Sequence, residues 1–375
     1  MTLRASVGGL CILMLVVFLA PFAFSSRTVS AADDYDSLRA EIVAANRSSS
    51  GSISLSGDIV LSAPLPAITG RVTIHGAGHS ISGNDAHRVF DVNGGALTLS
   101  NVTLTGGKAT ESEGGAIRLR NGAVVTIERS TLSANSATHG GAIATSSGSD
   151  RLTISDSNFS GNIAEQSAGA IDANGGIVNI RAASFVKNCA VYAFFTLNEN
   201  VNSERRSVDD EGCHRVTYIR SHLDAEVQTH VDGGAIRLRN GARVSVEGSS
   251  FSENSATYGG AISAASKNVR LSVNRSSFVS NRASSSGGAI GAYWLGGGRI
   301  AISNSSFVKN TTEDGDGGAI EAGHGAFDIA NTTFSENHAG SGGGALKIDA
   351  DAEVTITHAT FVENRTSRNQ AKAIS

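Results

Sequence analysis

Few residues in this sequence have the types and spacing for chemistry, and each set also has a plainer reading. Cys213, His214, His222 and His230 could be drawn around zinc. Histidines in eight-residue steps fit no compact ligand pattern, and a disulfide at Cys213 would remove its thiolate, so no metal is expected. His75 and His79 bracket a Gly-Ala-Gly turn and read as exposed turn residues rather than a catalytic pair. Asp314-Gly315-Asp316-Gly317 has oxygen donors for calcium but reads as an acidic turn. Cys189 and Cys213 are the two cysteines outside residues 1–31. In a secreted chain they would pair as a Cys189–Cys213 disulfide. Closing a loop of about 25 residues would stabilise the fold by about 3 kcal/mol in the chain-entropy model.

Such groups act only where the rest of the chain holds them, and the rest is a repeat. Gly-Gly-Ala-Ile starts at Gly114, Gly140, Gly233, Gly259, Gly287 and Gly317, with near matches at Gly94, Ala168 and Gly343. Phe-x-x-Asn ends at Asn162, Asn188, Asn254, Asn281, Asn310, Asn337 and Asn364, and a Leu version ends at Asn135. Between these motifs, apolar-x-apolar pairs such as Val125/Ile127, Val244/Val246 and Ile300/Ile302 have the period of a strand with one buried face. A small residue follows each pair (Ser130, Ser157, Ala183, Ser249), then Phe or Leu. Columns that hold one size class predict equivalent side chains stacked on themselves, ~4.8 Å apart. A unit with three short strands and three turns is one coil of a parallel β-helix, a solenoid of about ten coils over residues 51–370. The Gly-Gly pair is expected to turn a corner at positive φ. The recurrent Asn is expected to take a left-handed turn conformation and to bond the Asn of the next coil.

The tandem Gly-Gly-Ala-Ile and Phe-x-x-Asn, from about Gly94 to Asn364, resemble the polymorphic outer-membrane protein repeat. The resemblance implies an all-β, single-stranded right-handed parallel β-helix of the pectate-lyase-like type, on the cell surface and often concerned with adhesion. Members that are autotransporters continue into a membrane barrel, and no barrel follows Asn364. A longer chain or a C-terminal anchor beyond Ser375 is therefore one expectation.

Lyases and hydrolases of polysaccharides share this fold class, so fold alone decides nothing. Gly323-His324-Gly325 resembles the Gly-His-Gly of polygalacturonases, but that family's Asn-Thr-Asp, Asp-Asp and Arg-Ile-Lys are not in place. The outward positions within the apolar pairs, Thr126, Thr153, Asn179, Ser245, Ser272, Ala301, Asp328 and Thr355, offer neither stacked carboxylates nor an aromatic strip. The chain reads as non-catalytic, without a cofactor; a polysaccharide-active lyase or hydrolase is the alternative.

In chain order, residues 1–31 look like a secretory signal, with Leu10–Ala20 as the apolar run and Val29-Ser30-Ala31 as the cleavage site. Residues 32–50 hold a capping helix, Asp33–Asn46, with Asp36 as its N-cap and Leu38, Ile42 and Ala45 on one face. Residues 114–141 match 233–260 at an offset of 119, so a binding residue on those coils would occur twice. Residues 189–231 form an insertion between Asn188 and Gly233. Its Tyr192, Phe194, Phe195, Arg205, Arg206 and Tyr218 are the candidate ligand contacts. The expected role is adhesion to host or cell-surface glycans or proteins, through the turn loops and this insertion. Without Arg4 and Arg27, 28 basic residues face 34 acidic ones, which gives no footprint for nucleic acid. No transmembrane segment is expected in the mature chain, which would be secreted or displayed at the surface, on the outer membrane in a bacterium. Non-reducing peptide mapping is expected to recover a Cys189–Cys213 peptide; two free thiols in the secreted protein would contradict the pairing.

Overall fold

The computed structural model describes residues 29–191, 206–208, 214–216, 231–264, 266–293, 295–367 and 373–375. It is an all-β parallel solenoid of about eleven turns, against about ten expected, with one helix near the N-terminus. From Phe90 to Thr312 each coil contributes four strands rather than three. In one coil they are a leading strand Ile117–Arg120, a middle strand Val124–Glu128, a short strand Thr131–Ser133 and a return strand Ser136–His139. The additional strand is Gly-Gly-Ala-Ile itself, whose Ile117 starts the leading strand. Leading and middle strands share one 19-stranded sheet, short strands make an 11-stranded sheet, and return strands a 9-stranded one.

Each buried column is like on like. Phe159, Phe185, Phe251, Phe278, Phe307, Phe334 and Phe361 form one stack with ring centroids 4.6 to 5.0 Å apart and planes within 12°. Beside it runs an asparagine ladder. The Asn254 backbone N–H and its Nδ2 both donate to Asn281 Oδ1, at 3.1 and 2.9 Å. Asn281 repeats this to Asn310, and its Nδ2 also donates to the Phe251 carbonyl at 3.0 Å. The pattern runs from Asn135 to Asn364. Each amide inside the ladder thus uses both donors and accepts twice, which a buried amide requires. The left-handed residue is not the Asn, as expected, but the one before it, such as Glu253 at φ 55° and Ser280 at φ 54°. The Asn must keep ordinary φ for its amide to lie along the axis. At the other corner the first glycine turns at positive φ, as in Gly287 at 64°. The second is needed for space: a Cβ on Gly288 would overlap the Gly318 carbonyl oxygen.

The insertion leaves this stack unbroken. Phe185 and Phe251 pair directly across it, with rings 4.8 Å apart and 3° from parallel. Val191 and Val231 are hydrogen-bonded to neighbouring return strands, and Ala190, Val231 and Ala256 make a small separate apolar cluster at its root.

The N-terminal end is closed by the helix Tyr35–Ser48, which buries Leu38, Ile42 and Ala45 against the first coils. Its N-cap is Asp34, in a reciprocal pair with Ser37, rather than Asp36, which sits in the first turn. Residues Val29–Ala32 form a strand in register with Ser52–Leu55, so cleavage after Ala31 would remove most of that strand. The rest of the expected leader lies outside the described residues.

Asn281→Ala removes four buried hydrogen bonds, one of them to the Phe251 carbonyl. It should destabilise the shaft by about 3 kcal/mol or more at ~1 kcal/mol per bond. Asn364→Ala, at the last rung, should do less. Thermal melts followed by circular dichroism check the order; equal melting of the two variants and the wild type would contradict the ladder's role.

Candidate functional site

Where the return strand meets the next leading strand, the coil bends inward and the stacked bends make a corner groove. Its wall is the column of residues just before each glycine pair: Glu113, His139, Ser167, Asp232, Tyr258 and Ser286 in register. Its floor is the first outward column of the leading strands: Asp91, Arg118, Ala144, Asp172, Arg237, Ser263, Gly291 and Glu321. These point outward because their neighbours, from Phe90 and Ile117 to Ile320, fill the core.

The groove shows what the sequence duplication copied. In the first copy Asp91 of one coil receives Arg118 and Arg120 of the next, with four hydrogen bonds of 2.9 to 3.1 Å. Burial alone would raise the Asp91 carboxyl; the two guanidinium groups outweigh it and hold it at about 2. In the second copy Asp172 stands at the place of Asp91, and Arg237 and Arg239 at the places of Arg118 and Arg120. Asp172, fully buried, takes Arg239 Nη2 at 2.5 Å, and the same guanidinium reaches Glu113 at 3.1 Å. Arg237 Nη2 pairs instead with Asp232 at 3.2 Å. The wall residues Glu113 and His139 correspond to Asp232 and Tyr258. One arrangement, an acid before the glycines and Arg-x-Arg after them, is therefore built twice and linked by Arg239.

The two ends of the groove differ. At the N-terminal end a cavity of about 520 Å³ is lined by Glu111, Ser112, Glu113, Arg118, Thr138, His139, Glu165 and Gln166. Burial keeps His139 below the ordinary imidazole range, and its Nδ1 lies 2.8 Å from Ser167 Oγ. At the C-terminal end the floor is less complete. Among the described residues, Ser263 is fully buried with its Oγ unpartnered, and Arg237 Nε and Glu321 Oε2 are also buried without a hydrogen-bond partner. Beside them the Tyr258 and Tyr293 rings lie 4.8 Å apart and tilted by 42°, with the Tyr293 hydroxyl 3.5 Å from Asp232. Burial, then the Asp232 charge, pushes the Tyr293 hydroxyl above the usual phenol range. Burial also lifts Glu321 to about 7, with the Asp349 and Asp316 charges adding to it against a hydrogen bond from Ser286.

The residues singled out by sequence are scattered by comparison. Of the expected contacts, Tyr192, Phe194, Phe195, Arg205 and Tyr218 lie outside the described residues, and Arg206 is placed only as backbone of an antiparallel pair with Val216. Cys189 is buried in a return strand. Cys213 lies outside the described residues, so the pairing with it remains a proposal. His75 contacts Ser100 and His79 contacts Asp58, on separate partners. His324 Nδ1–H donates to the Tyr293 carbonyl, and its Nε2 lies 3.4 Å from Asp351. Asp316 accepts the Gly342 N–H at 2.6 Å, as a turn residue does. Among the described residues no cluster of three His, Cys, Asp or Glu side chains could hold a metal ion. No described helix is long and apolar enough to cross a membrane.

Comparison with known proteins agrees with the repeat pattern. The family model of the Chlamydia polymorphic membrane protein repeat matches residues 248–265 and 331–348, each spanning a Phe-x-x-Asn and the glycines after it. The chain carries repeats of this type wound into a parallel β-helix. Among solved structures, the surface adhesin PfbA of Streptococcus pneumoniae is similar over 90% of this chain and 91% of its own, at 10% identity and a TM-score of 0.39. No curated protein sequence matches significantly.

Glu321 generates a pH test. A carboxyl raised in the folded state from 4.5 to about 7 stabilises the fold fully below pH 4.5, and that contribution is lost as pH rises through about 7. The loss is on the order of 3 kcal/mol. Glu321→Gln should therefore flatten the fall in melting temperature between pH 5 and pH 8 relative to wild type; parallel pH profiles would contradict the assignment.

Proposed function

We propose that the protein works outside the cell as a non-catalytic recognition protein that adheres to host or cell-surface glycans or proteins. The contact surface is the corner groove together with the 189–231 insertion rooted beside it. The observation that carries this reading is the set of unpartnered buried atoms, Arg237 Nε, Ser263 Oγ and Glu321 Oε2, along one floor column next to Tyr258 and Tyr293. Buried polar groups without partners are costly, and a ligand reaching the floor would complete them. Aromatic rings beside such groups suit sugars and polar side chains alike. The insertion returns at Val231, next to Asp232, and its Tyr192, Phe194, Phe195, Arg205, Arg206 and Tyr218 remain the proposed contacts. The polymorphic membrane protein repeat supports a location at the cell surface.

A second reading has its own observation. A Glu321 raised to about 7, and so about half protonated near pH 7, with Asp316 and Asp349 close enough to act on it, resembles a general acid. A polysaccharide-active lyase or hydrolase would use it. Asp232 is not its partner in hydrolysis, being three coils away, or ~14 Å at strand spacing, outside the separations of glycosidase carboxylates.

Two variants separate these readings. Replacing residues 192–230 by a short Gly-Ser link, and separately Tyr258→Ala with Tyr293→Ala, should each reduce cell binding at least severalfold while the β-sheet melting curve persists. Undiminished binding by both would contradict the recognition reading. Turnover of polyuronides or glucans that disappears in Glu321→Gln would replace it with the enzymatic one.

A further inference from the structure

The middle strands present a second outward surface, away from the groove, and one of its columns breaks the charge pattern of the rest. In register along it stand Arg151, Ile177, Arg243, Arg270 and Arg299. All four arginines are exposed. Arg299 pairs with Asp328 at 2.6 Å. The guanidinium groups of Arg151, Arg243 and Arg270 have no ion pair or hydrogen bond among the described residues, in contrast to those of Arg118, Arg120, Arg237 and Arg239 in the groove. Like charges directly opposite on neighbouring strands repel. Three successive guanidinium groups, Arg243, Arg270 and Arg299, one strand spacing of ~4.8 Å apart, are therefore an unfavourable surface that the fold neutralises at only one of the three. The chain as a whole carries a net charge of −4, so the column is not a by-product of general basicity.

The next outward column is Asn179, Ser245, Ser272 and Ala301, small and flat. Together the two columns bound a shallow depression of about 320 Å³ lined also by Ile177, Val244 and Leu271. We propose that this surface binds a linear anionic polysaccharide, lying along the shaft with its charged groups on Arg243, Arg270 and Arg299 and its rings against the serines. A guanidinium fork matches carboxylate and sulfate equally and binds either in bidentate fashion. The step between arginines is close to that by which an extended polysaccharide advances per ring. A rigid sheet holds the forks at that spacing before binding, so little ordering is needed. The inference rests on the extracellular reading only for where such a polymer would be met.

The test is isothermal titration of the purified protein at low ionic strength with heparin, polygalacturonate and neutral dextran. Heparin or polygalacturonate should bind and dextran should not; heparin alone would assign sulfate groups, polygalacturonate alone carboxylates. Arg243→Ser with Arg270→Ser should weaken binding about tenfold or more, while Arg39→Ser with Arg47→Ser, an equal charge change on the capping helix, should leave it within about twofold. Relief of repulsion should leave the melting temperature of the Arg243→Ser, Arg270→Ser variant unchanged or higher, so a folding defect would be visible as a lower one. No binding by the wild type, equal loss in both double variants, a destabilised Arg243→Ser, Arg270→Ser variant, or tighter binding of duplex DNA than of either polymer would overturn the proposal. These outcomes are independent of the cell-binding loss expected from the shortened insertion, so the two readings can fail separately.

Discussion

Every buried position in this protein has to tolerate a copy of itself one strand spacing away. A parallel in-register coil gives each side chain the equivalent side chain above and below as its nearest neighbours, and this constraint explains which residues fill which columns. Phenylalanine satisfies it by stacking face to face. Asparagine satisfies it because its amide donates upward and accepts from below. Serine beside the phenylalanine satisfies it more weakly, its hydroxyl taking the N–H of the coil before, as Ser276 does for Ser249. Glycine satisfies it by leaving room.

Charge cannot satisfy the constraint by repetition. In the groove it is handled by alternation: Asp91 lies under Arg118, and Asp172 under Arg237, with Arg239 reaching across to Glu113. The block duplication preserved this alternation, since an acid before the glycines and Arg-x-Arg after them travel together. Farther along, alternation stops. Ser263 and Glu321 retain unmade hydrogen bonds, and on the next surface the guanidinium groups of Arg243 and Arg270 stand without partners among the described residues. These are the places where the shaft's own requirements do not account for the residues present.

The columns were legible in the sequence because they need only one dimension. Equivalent positions of successive units become neighbours whatever the shape of the coil, so Phe159, Phe278 and Phe307 could be assigned to one core without knowing any turn. The Asn-to-Asn bonding was legible for the same reason. What depended on the shape of one coil was not. The left-handed residue proved to be Glu253 or Ser280 rather than the Asn after it, because only the bonding direction of the amide reveals which residue turns. Asp34 rather than Asp36 caps the helix because the chain is still extended at Asp34, which spacing on one helical face does not show. The groove was missed since its wall and floor come from different strands that meet only through the bend at Gly-Gly. The arginine column lay one residue before the first apolar position, and looking between the apolar residues passed over it.

The shaft is continuous only because the coils before and after the 189–231 insertion are stacked directly on each other. Spin labels at Val186 and Ser252, outward positions paired in register although far apart in sequence, test it most directly. Stacked coils predict strong dipolar broadening of the continuous-wave spectrum in the doubly labelled protein relative to the sum of the single labels. Spectra that simply add would mean that the shaft is interrupted there, and the shared groove at that junction would not exist.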